Sequence, residues 1–268
     1  MNDNETKELF EGTTKALIES EQAKNLTVPL TKSIGNTLGD ICDIAFGRIG
    51  EAAEKSRLKH QKNIDDFKKT LYEDLNNIPE ENRQEPKASI VGPALEASKY
   101  YYDEETIRSM FEKLIVNSMD NRKASKVHPS FTEIIKQLSP LDAQTLMCFS
   151  REDKLPICQF KRVDTSNNSY NIAQTNVFIS NANCQDISLQ SISISSLNRL
   201  GLINVDYNLH LSDKNRYSAF RELDYYKSLE FSLFFFPKGY KMEIENGIAS
   251  LTPLGKTFIE ICLSPLPK

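Results

Sequence analysis

The sequence predicts an α+β fold, mostly α-helical, with an N-terminal helical region of long helices and a C-terminal module carrying a β-hairpin. Three observations predict it. From Leu30 to Phe149 apolar residues recur largely at three- and four-residue steps, the period of helices with one buried face. After Phe149 the composition turns to Asn, Ser and Asp, broken by short extended runs. Near the end, Glu245-Asn246-Gly247 separates YKMEI from IASLT, and Asn-Gly suits a tight hairpin turn. The chain therefore divides into a polar N-terminal segment, 1–29, a helical domain, 30–150, and an α+β domain, 151–268.

Residues 1–24 offer only a thin apolar stripe of Leu9, Phe10, Ala16, Leu17 and Ile18, enough for a frayed helix. Val28-Pro29 then opens a helical pattern, since proline is tolerated near a helix start. In SIGNTLGDICDIAFGRIG, residues 33–50, a helical wheel gathers Ser33, Asn36, Asp40, Asp43 and Gly47 into a polar arc. Gly35, Gly39 and Gly50 line a flank of the opposite apolar arc, which includes Phe46. Glycine inside a helix costs roughly 0.5–1 kcal/mol relative to alanine, so the run marks a place where a second backbone comes close. Gly35, Gly39, Phe46 and Gly50 are thus a candidate helix-packing or partner face. A membrane span fits poorly: it needs about 20 predominantly apolar residues, and Asp40, Asp43 and Arg48 interrupt this one.

From Glu51 the character becomes charged, with acids and bases in balance, as on a solvated helix. His60, Ile64, Phe67, Leu71 and Leu75 form a narrow seam for one partner helix. IPEENRQEP, with two prolines, is a loop. A short helix is expected from Pro93. Asp103 is expected to cap the next, DEETIRSMFEKLIVNSMD, whose face is Ile107, Met110, Phe111, Leu114 and Ile115. Ser130 and Glu133 have capping-box spacing, and Ser139-Pro140-Leu141-Asp142 opens a further helix.

Residues 151–186 read as mostly loop with a strand or two, including NVFIS. ISLQSISISSLNRLGLI predicts a helix ending at Leu200-Gly201, where glycine can turn left-handed. LEFSLFFFP reads as β-prone or buried, YKMEIENGIASLT as the hairpin, and PLGKTFIEICL as a closing helix. Helix, connection, helix, hairpin, helix is the order of a winged-helix-like module. In a DNA reader the second helix would be basic, yet residues 188–200 hold only Arg199, and the predicted wing brings acidic Glu243 and Glu245. A structural or protein-binding role is favoured, with Arg199 the nucleic-acid contact in the DNA-binding alternative.

The net charge of -4 and pI near 5.6 give no general attraction to nucleic acid or anionic lipid. The N-terminus lacks the apolar core of a secretory signal, and Asn2 stands where myristoylation needs glycine, so the cytoplasm is expected. The five cysteines, Cys42, Cys148, Cys158, Cys184 and Cys262, include no C-x-x-C pair, as in a chain with reduced thiols. With His60, His128 and His210 they show no zinc spacing, so no metal and no cofactor is expected. No phosphate loop or nucleophile signature appears, and no catalytic residue is assigned. Asp103-Glu104-Glu105 is better explained as an acidic helix start, and His128 as part of a tight turn, than as catalytic groups. The candidate interaction aromatics are Tyr100, Tyr101 and Tyr102, and Phe234, Phe235 and Phe236. The latter three cannot all face inward on one strand, so at least one meets another element or chain.

Three stretches, DEETIRSMFEKLIVNSMD, VHPSFTEIIKQLSPLDAQTL and LNRLGLI followed by LTPLGKTF, resemble the Abi-alpha family over roughly Leu30 to Leu263. That resemblance implies a cytoplasmic bacterial protein with a role in abortive infection, a defence against phage, and it brings no catalytic motif. The expected function is non-enzymatic defence through a protein partner or a second copy of the chain. The alternatives are a winged-helix DNA-binding regulator and a membrane-active effector using residues 25–50.

Overall fold

The computed structural model describes residues 54–101, 103–236 and 239–266. Segment 1–29, the glycine face at Gly35, Gly39, Phe46 and Gly50, and Tyr102 lie outside the described residues. Within them the fold is α+β, with nine α-helices and one four-stranded antiparallel sheet.

The helical part begins with α1 (Glu54–Asn76), whose Ile64, Phe67, Leu71 and Leu75 are buried as a seam. It packs on α3 (Glu105–Ser118), where Ile107, Met110, Phe111, Leu114 and Ile115 are all at most 1% exposed. The 3.6-residue period placed that face correctly because both helices are long enough to repeat it. The short α2 (Ala88–Ser98) and α4 (Phe131–Ile135) also pack on α3, and on each other. Two expected caps differ. Glu104, not Asp103, stands at the N-cap of α3, and the Asp103 carboxylate instead accepts from Asn63 of α1 at 2.9 Å. Ser130 makes no capping bond, because it is held by His128 at 2.7 Å, and His128 Nδ1 also accepts from the Ser130 backbone. At α5 (Pro140–Met147) the capping box of Ser139 and Asp142 forms in both directions.

Residues 151–186 hold far more strand than expected. β1 (Lys154–Asp164) and β2 (Tyr170–Val177) pair antiparallel, and β4 (Tyr240–Leu251) lies along the other side of β1. β1 is therefore central in the order β2-β1-β4-β3, with β3 (Ile203–Asp206) at the edge. Leu155 and Ile157 join the larger core, while Cys158 and Phe160 join a second one. A strand buried on both faces shows little hydrophobic alternation, which hid it in the sequence.

The predicted hairpin at Asn246-Gly247 is also corrected: both residues lie inside the single strand β4. Gly247 is needed there for space, since a Cβ would come 2.7 Å from the Tyr207 ring. Between the strands, α6 (Ile187–Arg199) is capped by Asp186 and ends at Gly201 with φ +72°. Leu202 N–H donates to Leu197 and Gly201 N–H to Asn198, the paired bonds of a Schellman ending. The chain closes with α9 (Pro253–Phe258) and a π-helical turn, Ile259–Leu263, that packs on α3. There Asn117 donates to Ile261 O at 2.7 Å and Lys113 Nζ to Leu263 O at 2.9 Å.

Candidate functional site

LEFSLFFFP does not form a strand. α7 (Ala219–Glu222) and α8 (Asp224–Ser232) cross one face of the sheet, and a 3-10 turn, Leu233–Phe235, follows. The β propensity of Leu and Phe is overridden by anchoring at Tyr226. That side chain is 2% exposed, 4.9 Å from the Phe160 ring, and its hydroxyl reaches Met242 O at 3.5 Å. Tyr225 donates to Gln174 Oε1 of β2 at 3.1 Å, a second tether. Burial, with the Glu230 carboxylate adding to it, pushes the Tyr226 phenol above its ordinary value.

With Tyr226 turned to the sheet, the following residues turn outward. Phe231, Phe234 and Phe235 are 63%, 83% and 80% exposed, yet the Phe231 ring meets both of the others, 5.6 Å from Phe234 and 6.0 Å from Phe235. Phe236 continues the surface, 6.1 Å from Tyr240 and under the Arg162 guanidinium at 4.2 Å. Three exposed phenylalanines joined through the Phe231 ring are an apolar patch rather than scattered surface residues. Of the residues Phe234, Phe235 and Phe236, picked from the sequence, the first two are brought against Phe231 on the surface while Phe236 meets Tyr240 and Arg162, and none is buried. Phe231 was missed, although its step of three or four to Phe234 and Phe235 would have joined them had the stretch been read as helix.

The tyrosines divide differently. Tyr100 is 77% exposed, whereas Tyr101 packs on Phe111 at 5.7 Å and donates to Lys136 O at 3.0 Å, so it braces α2 against α3 and α4. Arg199 donates to Gln137 Oε1 at 3.0 Å, which ties it to the helical part. On the same helix Leu189 and Ile192 are exposed among Ser188, Ser195, Asn198 and Arg199, so the outer face of α6 is mixed.

Several titratable groups elsewhere are buried or paired. Glu112, buried on α3, is pushed up to about 8 by its burial, its hydrogen bond to Asp74 of α1 and the Asp74 charge. On β1 and β4, Lys161 pairs with Glu245 at 2.6 Å and lies 4.1 Å over Tyr170; Gln159 also donates to Glu245. Burial pulls Glu245 up, but these two partners outweigh it and hold the carboxyl below its ordinary value. Burial pushes the thiols of Cys148, Cys158 and Cys262 up, the opposite of what an activated nucleophile requires. Among the described residues no cluster of three or more His, Cys, Asp or Glu side chains could hold a metal ion, and no helix is long and apolar enough to cross a membrane.

A family model described as abortive infection alpha matches residues 59–262, most of the chain. No curated protein matches the sequence. A solved structure that does is an uncharacterized protein from the hydrocarbon-degrading marine bacterium Alcanivorax borkumensis SK2, 11% identical, covering 54% of this chain and 96% of its own, with a TM-score of 0.33.

Proposed function

The chain belongs to the abortive infection alpha family, and from that premise we propose that it is a non-enzymatic phage-defence protein of the bacterial cytoplasm, working through contact with another protein. The observation that carries the proposal is the cluster of Phe231, Phe234 and Phe235. Each ring left in water forgoes about 1.5–3 kcal/mol of burial, and a partner with an apolar groove recovers it. Aromatic side chains are the usual anchors of such contacts because they bring large area with few rotatable bonds.

In this proposal the C-terminal half is a winged-helix-like interaction module, with α5 and α6 preceding the β3–β4 pair. The DNA-reading alternative is disfavoured by the outer face of α6, where Leu189 and Ile192 stand exposed and Arg199 is engaged by Gln137. The membrane-active alternative rests on residues 25–50, outside the described residues.

The direct test is the efficiency of plating of a broad phage panel on cells with and without the gene. Reduced plating for at least one phage is expected. Equal plating across the panel overturns the defence role.

A further inference from the structure

A cavity of about 170 Å³ opens where the segment before α8 meets β4, lined by Lys214, Tyr217, Ser218, Arg221, Ile244 and Asn246. Its charge is one-sided. Four cations lie along residues 214–227: Lys214, Arg216, Arg221 and Lys227. Arg216 is paired with Glu152, and Lys227 with Glu222 at 3.1 Å. The remaining acids are engaged locally: Asp213 accepts from the Asn215 backbone at 3.0 Å, and Asp224 sits in the first turn of α8, where the helix dipole favours a negative charge. Lys214 and Arg221 have no carboxylate within ion-pairing distance among the described residues, and both line the same cavity.

The other lining groups narrow the ligand. The Tyr217 hydroxyl is spent, donating to Gly247 O at 2.9 Å and accepting from Leu211 N at 2.9 Å, and Ser218 donates to Asn215 O at 2.7 Å. Donors left for a guest are the Lys214 ammonium, the Arg221 guanidinium and the Asn246 amide, with Ile244 as an apolar wall. That set suits a small anion with several oxygens, because guanidinium offers a planar fork and ammonium a point charge. The volume is below the roughly 300–1,000 Å³ of typical ligand pockets, which favours a single phosphate over a nucleotide.

We propose that this cavity binds a phosphate group, as inorganic phosphate or a small phosphomonoester, through Lys214 and Arg221 with the Asn246 amide as a third contact. Until an anion arrives, the two like charges gain nothing from sharing the cavity. Both cations are exposed, so affinity falls as salt rises.

Calorimetric titration of the full chain at low ionic strength with inorganic phosphate, ribose 5-phosphate and ribose tests this. Saturable one-to-one binding of a phosphate-bearing compound is expected, with none for ribose. The tighter of the two phosphate compounds identifies the source. Lys214→Gln and Arg221→Gln each weaken binding about tenfold or more, the loss of one charge-assisted contact, with an unchanged melting temperature. In the wild-type protein, phosphate shifts the backbone amide resonances of Ser218 and Asn246 in the same concentration range, a readout independent of any variant. Absence of saturable binding, undiminished binding by the doubly substituted protein, or resonance shifts confined to another region overturns the proposal.

Discussion

Glu112 faces Asp74 across the α1–α3 contact, with Lys113 and Arg108 the cations nearest its charge. Its carboxyl titrates at about 8 in the fold, well above its ordinary value, so the folded chain holds a proton that the unfolded chain has lost at neutral pH. The linked stability is fully present below the ordinary carboxylate range and is lost as pH rises toward and through 8. The melting temperature of the wild type therefore falls between pH 6 and pH 9, and Glu112→Gln, which keeps a neutral side chain there, flattens that fall. An equal fall in the variant rules this pair out as its source. A second residue runs against the usual direction of core mutations. The Ser193 hydroxyl, on a side chain 1% exposed, has no hydrogen-bond partner among the described residues, and an unsatisfied buried polar group costs about 1–3 kcal/mol. Ser193→Ala is expected to raise stability in urea unfolding by up to that amount. A loss of more than about 1 kcal/mol would show that the hydroxyl is satisfied, by water for example.

Elements were legible in the sequence where their causes are local. The Ser139–Asp142 box, the Gly201 ending of α6 and the five-residue face of α3 each depend on neighbours within one or two turns, and each is present. Ser139→Ala tests the first: loss of an N-cap side chain costs roughly 0.5–2 kcal/mol, measurable as a lower urea midpoint, and an unchanged midpoint would mean that the α5 start is held by tertiary packing instead. Elements were illegible where distant partners decide. β1 lost its alternation by being covered on both faces, Asn246-Gly247 was drawn into a strand by pairing with Cys158 and Ile157 of β1, and α8 was set by the docking of Tyr226 on Phe160. The same docking explains the candidate site: the sequence singles out Phe234, Phe235 and Phe236 as aromatics, but only the helix that Tyr226 holds down shows that Phe234 and Phe235 stand against Phe231 on the outside.

Across the whole molecule, the described residues hold one large core running from α1 through α3 and β1 to the closing π-helical turn, and a smaller one that carries α8 on the far face of the sheet. The phenylalanine cluster lies beyond the smaller core, so its rings contribute little to holding the fold together. Function and stability should then separate. Phe231→Ser/Phe234→Ser/Phe235→Ser alters exposed positions, and changes at such sites usually stay within about 0.5 kcal/mol each. Efficiency of plating of a phage restricted by the wild-type gene, measured on cells expressing this triple variant at matched protein level and melting temperature, tests the central claim most directly. The account predicts that plating returns to that of cells lacking the gene; protection equal to wild type would contradict it.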